Sequence, residues 1–359
     1  MKFLTTVDTK HFHTEIPAKP MGKYVHFITM RITESYPLFQ TDGELNKARV
    51  RAGVNNSEAI SRLAMFKRKQ STPERLSGRE ILRSHGIISG ENYDDKTKAI
   101  VDKKGVPICD YNVHFCMGCS DCITYGFAIG DSGSEKSKVV VDTAYSITPF
   151  DDAHLNFTLN APFENGTMSR NGEVTSRINS QDHILPQTFF PSIVTLKDPT
   201  EAGFLYVFNN ILRTRHYGAQ TTRTGRVRNE LIGVIFADGE IVSNLRWTQY
   251  IYDLMKDAQP TQINSPDPLN EDDVLKAAKA AIEQLMAKEY ISFTASIGDK
   301  FDTLLAEVKQ IAGDESKLKE LLEQANNEST AYANKHITKS GDKAKKGAKK
   351  ATSTAAVES

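Results

Sequence analysis

Apolar positions along the chain recur in two periods, two and about 3.6, and the switches between them mark out the expected elements. Residues 24–32 (Tyr24-Val-His-Phe-Ile-Thr-Met-Arg-Ile32) are β-branched and aromatic, which predicts a first core strand. After a loop at Asp42-Gly43, Asn56 or Ser57 offers a helix cap. Ile60, Leu63, Ala64 and Phe66 then fall on one helical face. Residues 84–135 break the pattern with Gly, Asp and Lys, and read as an insertion. Val139–Thr148 predicts a strand. Residues 155–195 carry short apolar runs around Asn165-Gly166 and Asn171-Gly172, which predicts a long projecting hairpin. Phe204, Leu205, Phe208 and Leu212 give a helix over 201–212. Leu231–Phe236 and Ile241–Val242 flank Asp238-Gly239 as a hairpin would, and Trp247, Tyr250, Ile251 and Leu254 mark another helix face.

Strand, helix, insertion, strands, helix, hairpin and helix in that order suit an α+β, ferredoxin-like core with long insertions. The expected parts are 1–83, the first portion of the core with a basic helical segment; 84–135, the insertion; and 136–258, the rest of the core. Residues 259–269 contain three prolines and read as a linker. Residues 270–330 read as a helical region, with Val274, Ala278, Ala281, Ile282 and Leu285 on one stripe and Leu304, Leu305, Val308 and Ile311 on another. Residues 335–359 are Lys, Ala, Ser and Thr without an apolar period, which predicts a disordered tail. No internal repeat is visible.

The 359 residues are 39% apolar and 25% charged, so most of the chain is expected to be globular. The formal net charge is zero, so a polyanion-binding role must rest on how charge is distributed. No apolar run approaches the roughly 20 residues of a membrane span, and none follows Met1-Lys2 as in a signal peptide. A cytoplasmic protein without a membrane partner is expected.

All four cysteines, Cys109, Cys116, Cys119 and Cys122, lie within 14 residues, as expected of a metal site rather than disulfides. Two-residue gaps let a tight turn present successive sulfurs, and four thiolates close a tetrahedral shell. A structural zinc is the first expectation, an iron–sulfur cluster the second and metal-free thiols the third. Gly118 is the expected site of a positive φ in the turn, and His114 is expected to face solvent. His13-Thr14-Glu15 matches the first half of a deaminase zinc motif. Phe115 rather than proline precedes Cys116, however, so no catalytic zinc is inferred.

Two stretches have lopsided charge. Between Lys47 and Arg83 the cations Lys47, Arg49, Arg51, Arg62, Lys67, Arg68, Lys69, Arg75, Arg79 and Arg83 face only Glu58, Glu74 and Glu80. Between Ala202 and Asn229 there is no acid at all, while Arg213, Arg215, Arg223, Arg226 and Arg228 crowd the second half. Within it, Gly218-Ala-Gln-Thr-Thr-Arg-Thr-Gly225 is small and polar. Its N–H groups, hydroxyls and arginines together suit phosphate. The alternative for either stretch is a solvated face with internal ion pairs.

The runs Ser61-Arg-Leu-Ala-Met-Phe-Lys-Arg-Lys-Gln-Ser-Thr-Pro-Glu-Arg-Leu76, Asn179–Asp198 (Asn-Ser-Gln-Asp-His-Ile-Leu-Pro-Gln-Thr-Phe-Phe-Pro-Ser-Ile-Val-Thr-Leu-Lys-Asp) and Asn209–Gly225 resemble the backbone family of CRISPR type I-D Cascade complexes. The resemblance covers roughly residues 20–255 and fades in the C-terminal helices. It implies an RRM-like core with a zinc-binding part (109–122), a helical part and a thumb or lid hairpin (about 155–195). Copies polymerise along a guide RNA, with the thumb of one copy folding over the RNA of the next. The implied RNA-binding set is Arg49, Arg51, Arg62, Lys67, Arg68, Lys69, Arg75, His183, Gln187, Arg213, Arg215, Gln220, Thr221, Arg223, Arg226 and Arg228. Phe163, Met168 and Ile184 are candidate wedges between bases, with core packing the first expectation for each. The implied partners are crRNA, a target DNA strand or single-stranded RNA, further copies of the chain, and the large subunit, 5' handle-binding subunit and crRNA-processing endonuclease of the complex. The aromatic pair of a base-stacking RRM sheet is not evident.

A non-catalytic guide scaffold is therefore expected. The competing expectations are a backbone subunit that cuts its target through Asp182, beside His183, and a stand-alone zinc-stapled RNA binder.

Overall fold

In a computed structural model the described residues run from 2 to 337, apart from 89–91, 95–98, 102–108, 130–133, 161, 165, 167–168, 172, 175–177, 259 and 264–265. The Lys-rich tail beyond 337 therefore lies outside the described residues.

The core begins with β1 (Tyr24–Thr33), which is buried on both faces beyond Tyr24. The chain continues through β2 (Lys47–Arg51), β3 (Ala59–Met65) and α1 (Lys67–Ser84). After the insertion with its short α2 (Ser120–Tyr125) come β4 (Val139–Val141) and β5 (Ala144–Pro149). A hairpin of β6 (His154–Asn160) and β7 (Ile178–Ile184) leads into β8 (Phe189–Lys197), α3 (Glu201–Arg213) and β9 (Val227–Ala237). The C-terminal part holds α4 (Asn244–Ala258), α5 (Glu271–Met286), β10 (Phe293–Ile297), α6 (Asp299–Gly313) and α7 (Glu315–His336).

The main sheet has the order β4-β8-β1-β9-β10 and is antiparallel throughout. With α1 between β1 and β4, and α3 between β8 and β9, its first four strands run strand–helix–strand–strand–helix–strand. In space they stand fourth, first, third, second.

Period-two alternation in β1 assigns its side chains to two cores. Val25 and Phe27 point to α3, where Phe27 stacks on Phe204 at 5.4 Å and meets Phe208 edge-on at 5.3 Å. Ile28, Met30 and Ile32 point the other way, toward Trp247 and Ile251 of α4 and Val274, Ala278 and Ile282 of α5. Trp247 Nε1 donates to the Ala278 carbonyl at 3.1 Å, so the buried indole keeps a partner. Both faces of the sheet are therefore covered by helices.

Several expectations are corrected. The residues after Asn56 form β3, not a helix, because Ala59–Met65 pairs with β2 on one side and β5 on the other. The helix begins only at Lys67. Ile60, Leu63 and Ala64 have helical spacing because the strand is buried on both faces toward its end and shows no alternation, and sheet pairing decides. Val139–Thr148 is split at residues 142–143 into strands of two different sheets. Ile241–Val242 forms no hairpin with β9. Instead Asp238 exchanges hydrogen bonds with Ser292, its N–H donating at 3.1 Å and its carboxylate accepting at 3.0 Å, and β10 takes the place beside β9. The region 270–330 is thus not purely helical. In the linker, Ile263 and Leu269 are buried. Phe189–Lys197 belongs to the sheet rather than the projecting hairpin, whose paired part is His154–Asn160 with Ile178–Ile184. The insertion is not a separate body: Cys109, Phe115, Cys122, Tyr125 and Phe127 join the core beneath α3. No described helix is long and apolar enough to cross a membrane.

Candidate metal centre and nucleic-acid interface

The four cysteine sulfurs lie within 4.8 Å of one another. Cys109 Sγ is 3.4 Å from Cys122 Sγ and 3.7 Å from Cys119 Sγ. These separations far exceed the roughly 2.05 Å of a disulfide. They approach the edge of about 3.7 Å that a tetrahedron with 2.3 Å metal–sulfur bonds requires. The donor set therefore fits a metal ion. Cys116 is exposed while the other three are buried. The left-handed residue of the turn is Met117 (φ 60°), not Gly118, whose φ is not positive. His114 is half-buried and bridges to Asp110, outside the thiol group.

α1 holds this centre from behind. Arg75 Nε and Nη2 both reach the Asp121 carboxylate at 2.8 Å, and Arg79 Nη1 reaches it at 2.7 Å. Arg79 also lies 3.3 Å from Cys109 Sγ and donates to the Cys109 carbonyl at 2.7 Å. Thiol–thiol hydrogen bonds from Cys116, Cys119 and Cys122, with the Arg79 guanidinium behind them, hold the Cys109 thiol below its ordinary range. On the other side α7 closes the site: the Asn326 amide oxygen accepts from the Ser120 N–H at 3.2 Å, and Tyr332 and Ala333 pack on Ile123.

The opposite side of α1 faces solvent. Together with residues 213–221 it walls an open groove of about 660 Å³, lined by Arg68, Lys69, Thr72, Arg213, Arg215 and Thr221 among others. The two basic stretches, far apart in sequence, meet here. Glu80 is the acid in the lining. Among the described residues, Arg68 and Arg215 have no acidic partner within ion-pair distance. Arg213 bonds the Asn209 amide oxygen at 3.0 Å and the Ala312 carbonyl at 3.3 Å.

The loop at the groove's end is fastened at its base. Tyr217 N–H donates to the Gly225 carbonyl at 2.8 Å and Ala219 N–H to the Leu38 carbonyl at 2.9 Å. Gly218 and Gly225 have φ of +91° and +96°. A Cβ there would meet the Leu38 and Tyr217 carbonyl oxygens at 2.6 and 2.4 Å, so glycine is required at both ends. Beneath it, the Tyr217 hydroxyl donates to Glu74 Oε1 at 3.1 Å and accepts from Asn229 Nδ2 at 2.6 Å. Burial first, then the Glu74 carboxylate, push the Tyr217 phenol up and keep it protonated.

The other sequence-predicted residues do not all reach this surface. Arg62 is fully buried and donates to the carbonyls of Ser146, Ile147 and Ala52, so it braces β3 against β5 and has no face to offer RNA. Arg75 is buried on the metal side of α1, as is Arg79. His183 is buried against Phe157, with ring centroids 5.1 Å apart. Its neighbour Asp182 bonds Asn156 Nδ2 at 2.7 Å. Adjacent strand residues point to opposite faces, so the Asp182–His183 pair cannot act on one proton. Ile184 is fully buried in the core, Phe163 is half-buried, and Met168 lies outside the described residues. Arg226 and Arg228 are not free of acids. Glu34 pairs with both, and Glu230 and Glu271 with Arg228, supplied by β9 itself and by segments distant in sequence. Lys67 is exposed, with Nζ 3.3 Å from the Val139 carbonyl. Gln187 is exposed at a left-handed turn (φ 59°), and Arg49 and Arg51 project from the outer strand β2. Gln220 bonds Gln181 at 3.2 Å and Arg223 at 2.6 Å. Sequence reasoning missed Tyr217 and Glu74, whose only signal was an acid and an aromatic inside otherwise basic stretches.

The chain matches the family model described as Csc2 Crispr over residues 11–322. The family likeness therefore runs through α5 and α6 into α7, beyond the limit near residue 255 expected from the sequence motifs. Among solved structures it is similar to Thermofilum pendens Csc2, with a TM-score of 0.58, 16% identity, and 92% of this chain and 93% of that one covered. Two chains titled as a CRISPR RNA-guided surveillance complex, one of them pre-nicking, give TM-scores of 0.47 and 0.48 at 9% identity, covering 81% and 80% of this chain and 98% and 99% of theirs. No curated protein matches the chain. With about seven-eighths of its length inside one family model, the chain belongs to the Csc2 CRISPR family.

Proposed function

We propose that this chain is the crRNA-binding backbone subunit of a type I-D Cascade complex, a cytoplasmic, non-catalytic scaffold that polymerises along the guide and displays it to target DNA. The observation that carries the reading is the groove between α1 and residues 213–221, where Arg68, Lys69, Arg213 and Arg215 converge. Cations and hydroxyls there grip phosphate and ribose without reading bases, as a guide-displaying subunit needs. The strand order of the main sheet supports an RRM-like core, and the β6–β7 hairpin supports a thumb. Because α4 and α5 cover one sheet face and α1 and α3 the other, the guide runs along the margin rather than across the sheet. The metal is read as structural zinc: four thiols leave no open position for substrate. Partners are crRNA, further copies of the chain and the other Cascade subunits.

The test is purification of the tagged chain from cells carrying its CRISPR array. Short uniform RNAs bound in proportion to oligomer length are expected, with affinity falling steeply with salt. A folded, nucleic-acid-free preparation that takes up no single-stranded RNA at low salt overturns the reading. Regularly spaced cuts in complementary strands that vanish with Asp182→Ala would instead favour a nuclease.

A further inference from the structure

We propose that Tyr36, braced by Phe157, is a stacking platform for one unpaired base of the single strand whose phosphates the 218–225 loop holds. This rests on the RNA-binding reading above. With helices over both faces of its central strands, the sheet offers a base no open aromatic face; its exposed aromatic, Phe293, stands at the start of the edge strand β10. A splayed-out base needs a flat apolar partner beside a phosphate contact. Tyr36 is such a group: the residue is 39% exposed beside the buried Leu38 and Phe39. It meets Phe157 edge-to-face with centroids 4.9 Å apart, and Phe157 in turn rests on the buried His183. Leu155, 47% exposed, lies on the same face of β6 as Phe157 and extends the apolar surface.

The platform is bolted to the arginine loop through its main chain. The Thr224 hydroxyl donates to the Tyr36 carbonyl, Arg226 N–H donates to Ser35 Oγ at 2.9 Å, and Glu34 N–H donates to the Arg226 carbonyl at 2.9 Å. The Arg223 guanidinium is exposed and bonds Gln220 Oε1, an amide rather than a carboxylate, so its charge is available to a phosphate. A cation for the backbone and a ring for the base thus sit on one rigid unit, and the ligand it suits is a single-stranded nucleotide of any base identity.

The experiment uses the full-length, metal-loaded chain and a short single-stranded RNA carrying one 2-aminopurine. Tyr36→Ala is expected to weaken binding about five- to hundredfold. Because no charge is removed, the slope of log K against log salt should stay as in the wild type. Tyr36→Trp should restore both affinity and quenching of the 2-aminopurine. Arg223→Ala should instead reduce the salt slope by about one. Wild-type affinity and quenching in Tyr36→Ala, with wild-type thermal unfolding, overturn the platform while leaving RNA binding intact. Tyr36→Ala that keeps RNA affinity but loses assembly of copies also overturns it, making the patch a protein contact. A wild type that binds no RNA withdraws the proposal together with the reading beneath it.

Discussion

Arg31 ties the core to the loop. Its guanidinium is fully buried, pairs with Glu74 at 2.8 Å, bonds Asn229 Oδ1 at 3.0 Å and lies 5.0 Å from the Tyr217 ring centre. Removing one member of a buried ion pair strands the other charge, so Glu74→Gln should cost about 3–5 kcal/mol in urea unfolding. The double variant Arg31→Met, Glu74→Leu should recover much of that loss. Equal stability of Glu74→Gln and wild type would contradict this. His26 makes a pH prediction. Burial, acting against its bond to the Gly239 carbonyl, pulls its pKa from 6.5 down to about 4. The folded state therefore holds fewer protons than the unfolded one between those values. Stability contributed by neutral His26 is complete above pH 6.5 and is lost as pH falls toward 4, by up to about 3 kcal/mol. His26→Gln should flatten that part of the pH–stability curve measured against wild type. At this scale the sequence was legible only in part. The run 47–83 reads as a predominantly cationic face, yet Arg62, Arg75 and Arg79 point inward, because their partners at 146–147 and at Asp121 come from distant parts of the chain that no local pattern displays.

α1 is a partition with the cysteine cluster behind it and a groove before it. Cations on its two sides should respond differently to substitution. Arg68→Ala and Arg215→Ala are each expected to lower the salt slope of RNA binding by about one, at little cost in stability. Asp121→Asn should instead destabilise the fold and weaken metal retention, since it leaves two buried guanidiniums uncompensated. Metal content after gel filtration and a salt titration separate the two outcomes. α1 also approaches α3 closely at Gly78, where an added Cβ would lie 2.3–2.7 Å from the Asn210 amide. Gly78→Ala gains roughly 1 kcal/mol of helix propensity. The overpacking cost of about 1–3 kcal/mol should win, giving a lower unfolding midpoint. Strands and helices with a full apolar stripe, such as β1, α3 and α4, were legible in the sequence. The β3 segment was not, because a strand buried on both faces toward its end lacks alternation and its apolar spacing mimics a helix, and β10 was missed because its neighbours are strongly helical.

For the whole molecule, the N-terminal, inserted and C-terminal segments close on one another. Asp198 accepts from the Met21 and Lys23 N–H groups, and α7 reaches from Asn326 against the cysteine turn to Lys335 against Glu15. Chelation of the metal should therefore lower the thermal midpoint and increase hydrogen exchange in α7 as well as in residues 109–122. Unchanged exchange in α7 would separate the two. The sequence conveyed the α+β order and the cysteine site. It did not convey that both faces of the sheet are covered, because α5 packs on β1 across some 240 residues of chain. The glycine-ended loop carries a last consequence. Its ends are clamped by main-chain hydrogen bonds and by a glycine at each closure, so little backbone entropy remains to be lost when a strand arrives. Capture should then proceed in a single fast phase whose rate is set by diffusional encounter, and slow as ionic strength rises, with no lag for folding on the template.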